Sequence, residues 1–300
     1  MTGDFSTRVV SICHQSHKDV WRLTSELLPR FVKADEYFVY VPQNEMDDFR
    51  KISSPLITVR SQESLDVGFG KLLLEKVREN FNEARFGWYL QQLYKIEALI
   101  ESPTSATIIW DADGVPTRSI EMFNQENEPL FMRATENHRA YFEMIDRLLG
   151  LPIVQNQSFI VPGFPMLNPW INDFVKYVEN RHIGKTWFEA IVQDTNLRLQ
   201  GGFSEFETLG TWIANSYPRK WHPIDLNWER YGQSRFNYAR KLSPSDIVEI
   251  GFRHNLDLIS FENWDLRGIR RKVKVFRIFV SRLVTLSTKP KYVLTFLKRS

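Results

Sequence analysis

Apolar positions near the start of the chain alternate between strand-like runs and helical spacing. Arg8-Val9-Val10-Ser11-Ile12-Cys13 reads as a short buried strand, and the polar cluster His14-Gln15-Ser16-His17 follows it. From about Asp19 to Phe31, Val20, Leu23, Leu27 and Leu28 recur at helical spacing. Glu36 to Val41 predicts a second strand stopped by Pro42, Asp47 and Asp48 open a short helix, and Leu56 to Val59 predicts a third strand. Strand, helix, strand, helix, strand within so short a span is the order of a parallel α/β layer. The stretch Ser64 to Phe81 reads as partly helical, and Gly87 to Ile100 as a helix ended by Pro103. Ala106 to Trp110 then predicts a fourth strand, with Asp111 and Asp113 at its carboxyl end.

Beyond this point the pattern shifts toward helix. Short strands are expected at Pro129 to Met132 and at Ser158 to Val161, the latter closed by Pro162-Gly163. Helices are expected from Asn168 to Asn180 with Pro169 in the first turn, from Thr186 to Leu197, and from Ser204 to Ala214. In the last of these, Ser204 and Glu207 have the spacing of a capping box. The fold class is therefore α/β, a mostly parallel sheet flanked by helices. No internal repeat or Gly/Ser linker divides the chain, so one domain over 1–264 and a distinct tail over 265–300 are expected.

Charge sharpens that division. From Asp265 to Ser300 there are eleven Lys or Arg against one acid, a net charge of +10, which leaves −7 on residues 1–264 for the chain's total of +3. An apolar stripe of Ile269, Val273, Phe276, Val280 and Leu283 faces away from most of these cations at helical spacing. Such a basic amphipathic helix fits an anionic membrane surface over 267–299; docking on the acidic body is the competing reading. Nucleic acid is not expected as a partner, because no recognition motif accompanies the charge. Cys13 is the single cysteine, so an intramolecular disulfide is excluded, and no Cys/His cluster has zinc-ligand spacing. With no signal-peptide stretch and no long apolar run, a cytoplasmic protein is expected, with the inner face of the cytoplasmic membrane as a second station.

The chemistry centres on Asp111-Ala112-Asp113. Ligands of open parallel sheets bind beyond the carboxyl ends of the strands. Two carboxylates separated by one residue where a strand gives way to a turn can approach a single hard cation. Mg²⁺ or Mn²⁺ would complete its shell with phosphate oxygens. A solvated turn is the competing reading of an isolated match; the place after a fourth strand favours the site.

Three blocks resemble a known family: Gly87-Trp88-Tyr89-Leu90-Gln91-Gln92-Leu93-Tyr94-Lys95, Ile109-Trp110-Asp111-Ala112-Asp113, and Phe203-Ser204-Glu205-Phe206-Glu207-Thr208-Leu209-Gly210. In order and spacing they resemble a bacterial group, long catalogued as a domain of unknown function, assigned to the GT-A glycosyltransferases. The resemblance implies a GT-A fold with a helical acceptor side and a nucleotide-diphosphate sugar donor. It also implies Mn²⁺ or Mg²⁺ and a glycan or lipid-linked glycan acceptor, in surface polysaccharide synthesis. Asp111 and Asp113 would hold the metal, with His222 as a late third ligand and His182 and His254 behind it. Cys13, His14, Gln91, Gln92 and Lys95 would face the donor. Lys95 would touch phosphate, or pair with Asp111 or Asp113 when metal is absent. Glu205 would be the base that deprotonates the acceptor hydroxyl, since the capping box accounts for Glu207. Arg118 would meet the diphosphate or form a surface ion pair, and Trp170, Trp212 and Trp221 would stack on sugar or pack in the core. A nucleotidyltransferase and a catalytically silent nucleotide-binding scaffold are the other classes considered. The first would normally carry a Gly-rich basic loop near the first strand, which this chain lacks.

Overall fold

A computed structural model describes residues 5–154 and 157–265. The expected tail, 267–299, and the boundary at 265 lie outside or at the limit of the described residues.

The first half is the expected β/α alternation. Strand β1 (Thr7–Ile12) leads into helix α1 (Lys18–Phe31), then β2 (Glu36–Val41), α2 (Met46–Ile52) and β3 (Ile57–Ser61). Helices α3 (Phe69–Glu79) and α4 (Phe86–Ile100) precede β4 (Ala106–Trp110). The period of two along each strand sorts side chains to two faces. Val10, Ile12, Phe38, Tyr40 and Ile109 join the large core beneath α3 and α4. Val39 and Val41 pack with Trp21 and Phe49 on the α1–α2 side, and Val9, Ile108 and Trp110 pack with Leu28. Burial on both faces explains why these strands read as nearly continuous apolar runs.

After β4 the chain makes β5 (Gly114–Pro116), β6 (Leu130–Met132), α5 (Arg139–Leu149) and β7 (Gly163–Leu167). The main sheet has the order β3-β2-β1-β4-β7. Its first four strands are parallel, and β7 pairs antiparallel with β4, Ile108 opposite Pro165. The strand expected at Ser158 to Val161 thus begins at Gly163 instead. Phe159 and Val161 are buried, but their segment makes only an isolated bridge from Ser158 to Ala134. Gly163 is needed where it stands: a Cβ there would lie 2.7 Å from the Trp110 ring and 2.9 Å from Met132. Pro165, which cannot donate to a ladder, is tolerated because β7 is an edge strand.

Helices α6 (Asn168–Arg181), α7 (Trp187–Asp194) and α8 (Glu205–Ser216) follow, close to their expected limits. Thr186 and Glu189 form a complete capping box on α7. On α8 only half forms: Ser204 accepts from the Glu207 amide, while the Glu207 carboxylate turns elsewhere. The chain then adds β8 (His222–Ile224), β9 (Trp228–Glu229), α9 (Gly232–Arg235), α10 (Pro244–His254) and β10 (Leu258–Ser260). β8 pairs with β6, and β10 lies between β5 and β9. Trp170, Trp212 and Trp221 belong to or pack against the large core, Trp170 stacked on Tyr217 at 4.5 Å. No helix among the described residues is long and apolar enough to cross a membrane.

Candidate active site

Asp111 and Asp113 stand where β4 gives way to a turn whose backbone is fixed at every residue. The Asp111 amide donates to the Pro162 carbonyl at 2.7 Å, and Gly114 donates to the Asp111 carbonyl at 2.9 Å. The Ala112 carbonyl accepts from Thr24 of α1 at 2.8 Å, and the Asp113 carbonyl accepts from the Phe261 amide at 2.9 Å. Gly114 keeps the turn tight, since a Cβ there would meet Pro162 at 2.6 Å. Three separate elements therefore hold the two carboxylates in place.

Helix α4 crosses behind this turn, and its Gln-Gln-x-x-Lys block connects the site. Gln91 donates to the Ile12 carbonyl at the end of β1, at 3.4 Å. Gln92, 3% exposed, accepts from the Glu205 amide at the start of α8, at 3.1 Å. One turn on, the Lys95 ammonium lies 2.5 Å from Asp111 Oδ1 and 2.7 Å from Glu205 Oε1. The Phe206 ring lies 4.3 Å from the same nitrogen. Burial alone would lower the Lys95 pKa, but Asp111 and Glu205 outweigh it and hold the group above its ordinary range. The pairing expected of Lys95 with Asp111 is present. Glu205 is 5% exposed and accepts from Lys95, so its carboxylate holds a cation and presents little open face to an acceptor.

A third acid, not anticipated from sequence, completes the negative field. Ser260 of β10 is in register with Gly114 of β5, and this pairing carries Glu262 toward Asp113. Burial, then Glu262, then Asp111 push the Asp113 carboxyl well above the usual range, against Lys95. Glu262 is raised as well, by burial first and with Asp111 contributing, while Arg230 opposes. Arg230 reaches both Glu262 and Glu136, and Trp264 donates to Glu262 at 2.9 Å. The next residue, Asn263, lies 2.8 Å from His17 Nε2.

Beside the acids, at the end of β1, opens a cleft of 320 Å³ lined by Cys13, His17, Gln62, Trp88, Gln91 and Tyr94, with His14 at its edge. Cys13 is buried, which pushes its thiol pKa up. His14 is largely exposed, its Nδ1 accepting from the Ser16 amide and its Nε2 3.3 Å from Glu45. His17 is held below the usual imidazole range by burial and then by His14, against Asp111.

The remaining expectations fall elsewhere. His222, expected as the third metal ligand, sits on β8 with Nε2 2.7 Å from Glu128, because the β6–β8 register places it opposite Leu130. His182 faces the Leu148 carbonyl at 3.0 Å, and His254 packs near Phe236. Among the described residues no group of three or more His, Cys, Asp or Glu is arranged to hold a metal ion, so the set of Asp111, Asp113 and His222 is not assembled. Arg118 forms an ion pair with Asp257 at 2.9 Å. The Glu207 carboxylate accepts from Ser158 Oγ at 2.9 Å and the Phe159 amide at 3.1 Å.

No family model and no curated protein matches the chain. Among solved structures it is similar to mouse xyloside xylosyltransferase 1 in its apo form. The TM-score is 0.47 at 12% identity, over 86% of this chain and 98% of that one. It is also similar to the apo structure of the WbbM bifunctional glycosyltransferase. There the TM-score is 0.39 at 8% identity, over 88% of this chain and 47% of that one.

Proposed function

We propose that this chain is a metal-dependent glycosyltransferase of the GT-A type, moving a sugar from a nucleotide-diphosphate donor to a hydroxyl of a glycan or glycolipid. The observation that carries the reading is the braced turn that sets Asp111 and Asp113 at the carboxyl end of β4, with Lys95 on Asp111, near a cleft of 320 Å³ with two aromatic walls. Burial and neighbouring negative charge push Asp113 and Glu262 upward, and a cation beside them would relieve that charge. Mg²⁺ and Mn²⁺ commonly bind through one or two carboxylates and fill their shells with water and substrate phosphate. Asp111 and Asp113 fit that donor set without His222. When bound, the ion would offset charge on the departing diphosphate.

The chain's own residues would divide the remaining work. Trp88 and Tyr94 offer ring faces for a base or a ribose, and Gln62 and Gln91 offer amide contacts in the same cleft. Lys95 would set the charge balance around Asp111 from behind the turn. The segment carrying Glu262, Asn263 and Trp264 borders both the acids and His17, and so would form the wall on the acceptor side. Residues 267–299 would hold the enzyme on an anionic membrane bearing a lipid-linked acceptor.

A panel of sugar nucleotides incubated with the protein and Mn²⁺, without acceptor, tests the reading through release of nucleoside diphosphate. Slow, metal-dependent release lost in Asp111→Asn is the expected result. Release that is indifferent to metal and to this variant would count against the proposal, as would no release with any donor.

A further inference from the structure

We infer that Lys95 is a resident counter-cation that competes with the metal for Asp111, and that Glu205 is the positioning residue that draws Lys95 away when the metal enters. The inference rests on the metal-dependent reading above. Its geometric basis is the placement of one ammonium between two carboxylates, 2.5 Å from Asp111 and 2.7 Å from Glu205. The two acids differ in exposure. The Asp111 side chain is 29% exposed, whereas that of Glu205 is 6% exposed and lies in the first turn of α8.

With a divalent ion on Asp111 a doubly positive charge would lie close to Lys95, and the ammonium would yield. Glu205 gives it a partner already in contact, and the Phe206 ring, 4.3 Å away, offers a second favourable surface. Without Glu205 the displaced ammonium would be buried and unpaired, an arrangement that is strongly unfavourable. Gln92 keeps this receiver in place by accepting from the Glu205 amide at 3.1 Å. The role of Glu205 is therefore to make room for the metal, not to take a proton from the acceptor. Lys95 also offsets the negative charge of Asp111 by direct contact.

The two side chains have opposite predicted effects on metal affinity, which a purely structural role would not produce. The experiment is calorimetric titration of the full chain with MnCl₂ alone, with far-UV circular dichroism confirming that each variant folds. Lys95→Met removes the competitor and should tighten Mn²⁺ binding about tenfold or more. Lys95→Arg keeps the charge and should stay within about threefold of the parent. Glu205→Gln leaves Asp111 as the carboxylate partner of Lys95 and should weaken Mn²⁺ about fivefold.

Mn²⁺ binding that is unchanged or weaker in a folded Lys95→Met overturns the inference and leaves the metal reading standing. If Lys95→Met does not fold, Glu205→Gln and Lys95→Arg decide: unchanged or tighter binding in Glu205→Gln, or tightening in Lys95→Arg as large as that expected for Met, overturns it. Absence of Mn²⁺ binding in the parent and in every variant overturns the metal-dependent reading itself, and the inference with it.

Discussion

Substituting Gly210 by Ala sets two opposing effects against each other, and the structure decides between them. Gly210 lies inside α8, where glycine costs helix stability, so alanine should gain about 1 kcal/mol from propensity alone. Against this, a Cβ at Gly210 would lie 2.0 Å from Phe159 Cγ and 2.4 and 2.5 Å from the two Cδ atoms. Reaching an ordinary contact requires the ring to move by about 1.4 Å. Phe159 has no free direction: it is fully buried, edge-on to Phe131 at 5.4 Å and to Trp221 at 5.7 Å. Its amide is also held by Glu207 at 3.1 Å. Overpacking of this kind costs about 1–3 kcal/mol and more where nothing gives. Because nothing gives at Phe159 the upper part of that range applies, and about 2–3 kcal/mol less the gain of about 1 leaves Gly210→Ala destabilised by about 1–2 kcal/mol net. In a chain of this length that is a fall in Tm of about 2–3 °C. The strain would pass along Phe159 to Pro162, whose carbonyl anchors the Asp111 amide. Thermal unfolding followed by circular dichroism reads the result. An unchanged or raised Tm would refute the reasoning, because it would mean that Phe159 moves freely and does not brace the Asp111 turn.

Glu97 gives a pH signature. Burial, then Glu101, push its carboxyl up to about 7. The folded state therefore holds a proton that the unfolded state has released, and this contribution to stability is lost as pH rises from the ordinary carboxylate range through about 7. Discounted for its partial exposure, Glu97→Gln should gain about 1–2 kcal/mol at pH 8 and nothing at pH 4 in urea unfolding; an equal gain at both would contradict the assignment. Glu207→Ala strips a buried acceptor from Ser158 and Phe159 and should cost about 2–4 kcal/mol by the same measurement, whereas a loss below about 1 kcal/mol would show that the segment is braced otherwise. Trp88→Ala should weaken nucleoside diphosphate binding about tenfold by calorimetry without altering Mn²⁺ affinity; unchanged nucleotide binding would remove the cleft from the donor site. Truncation after Leu266 should abolish co-sedimentation with anionic liposomes, and unchanged binding would sink the membrane role of the tail.

The sequence made β1 to β4 readable because each is a short apolar run separated from the next by an amphipathic helix, and both faces of the sheet are covered. Lys95 near Asp111 was readable too, since α4 packs directly behind β4. β7 was misplaced because its Gly163 and Pro165 have poor strand propensity, while the neighbouring Phe159–Val161 run has high propensity but is a buried loop tied to Glu207. Glu262 was invisible for a topological reason. It is brought near Asp113 by the β5–β10 pairing, across a sequence gap of well over a hundred residues, and no local period marks such a pairing. The apolar run Leu258-Ile259-Ser260-Phe261 directly before Glu262 was the available cue. His222 failed for the converse reason: a histidine late in the chain satisfies spacing in the abstract, but its strand pairs beside Glu128.

The central claim is that Asp111 and Asp113 form a metal site for a nucleotide diphosphate. A thermal-shift panel of nucleoside diphosphates and sugar nucleotides, with and without Mn²⁺, tests it most directly. The account predicts stabilisation that requires nucleotide and Mn²⁺ together and is lost in Asp113→Ala. A shift that is the same without Mn²⁺, or that persists in Asp113→Ala, would contradict it.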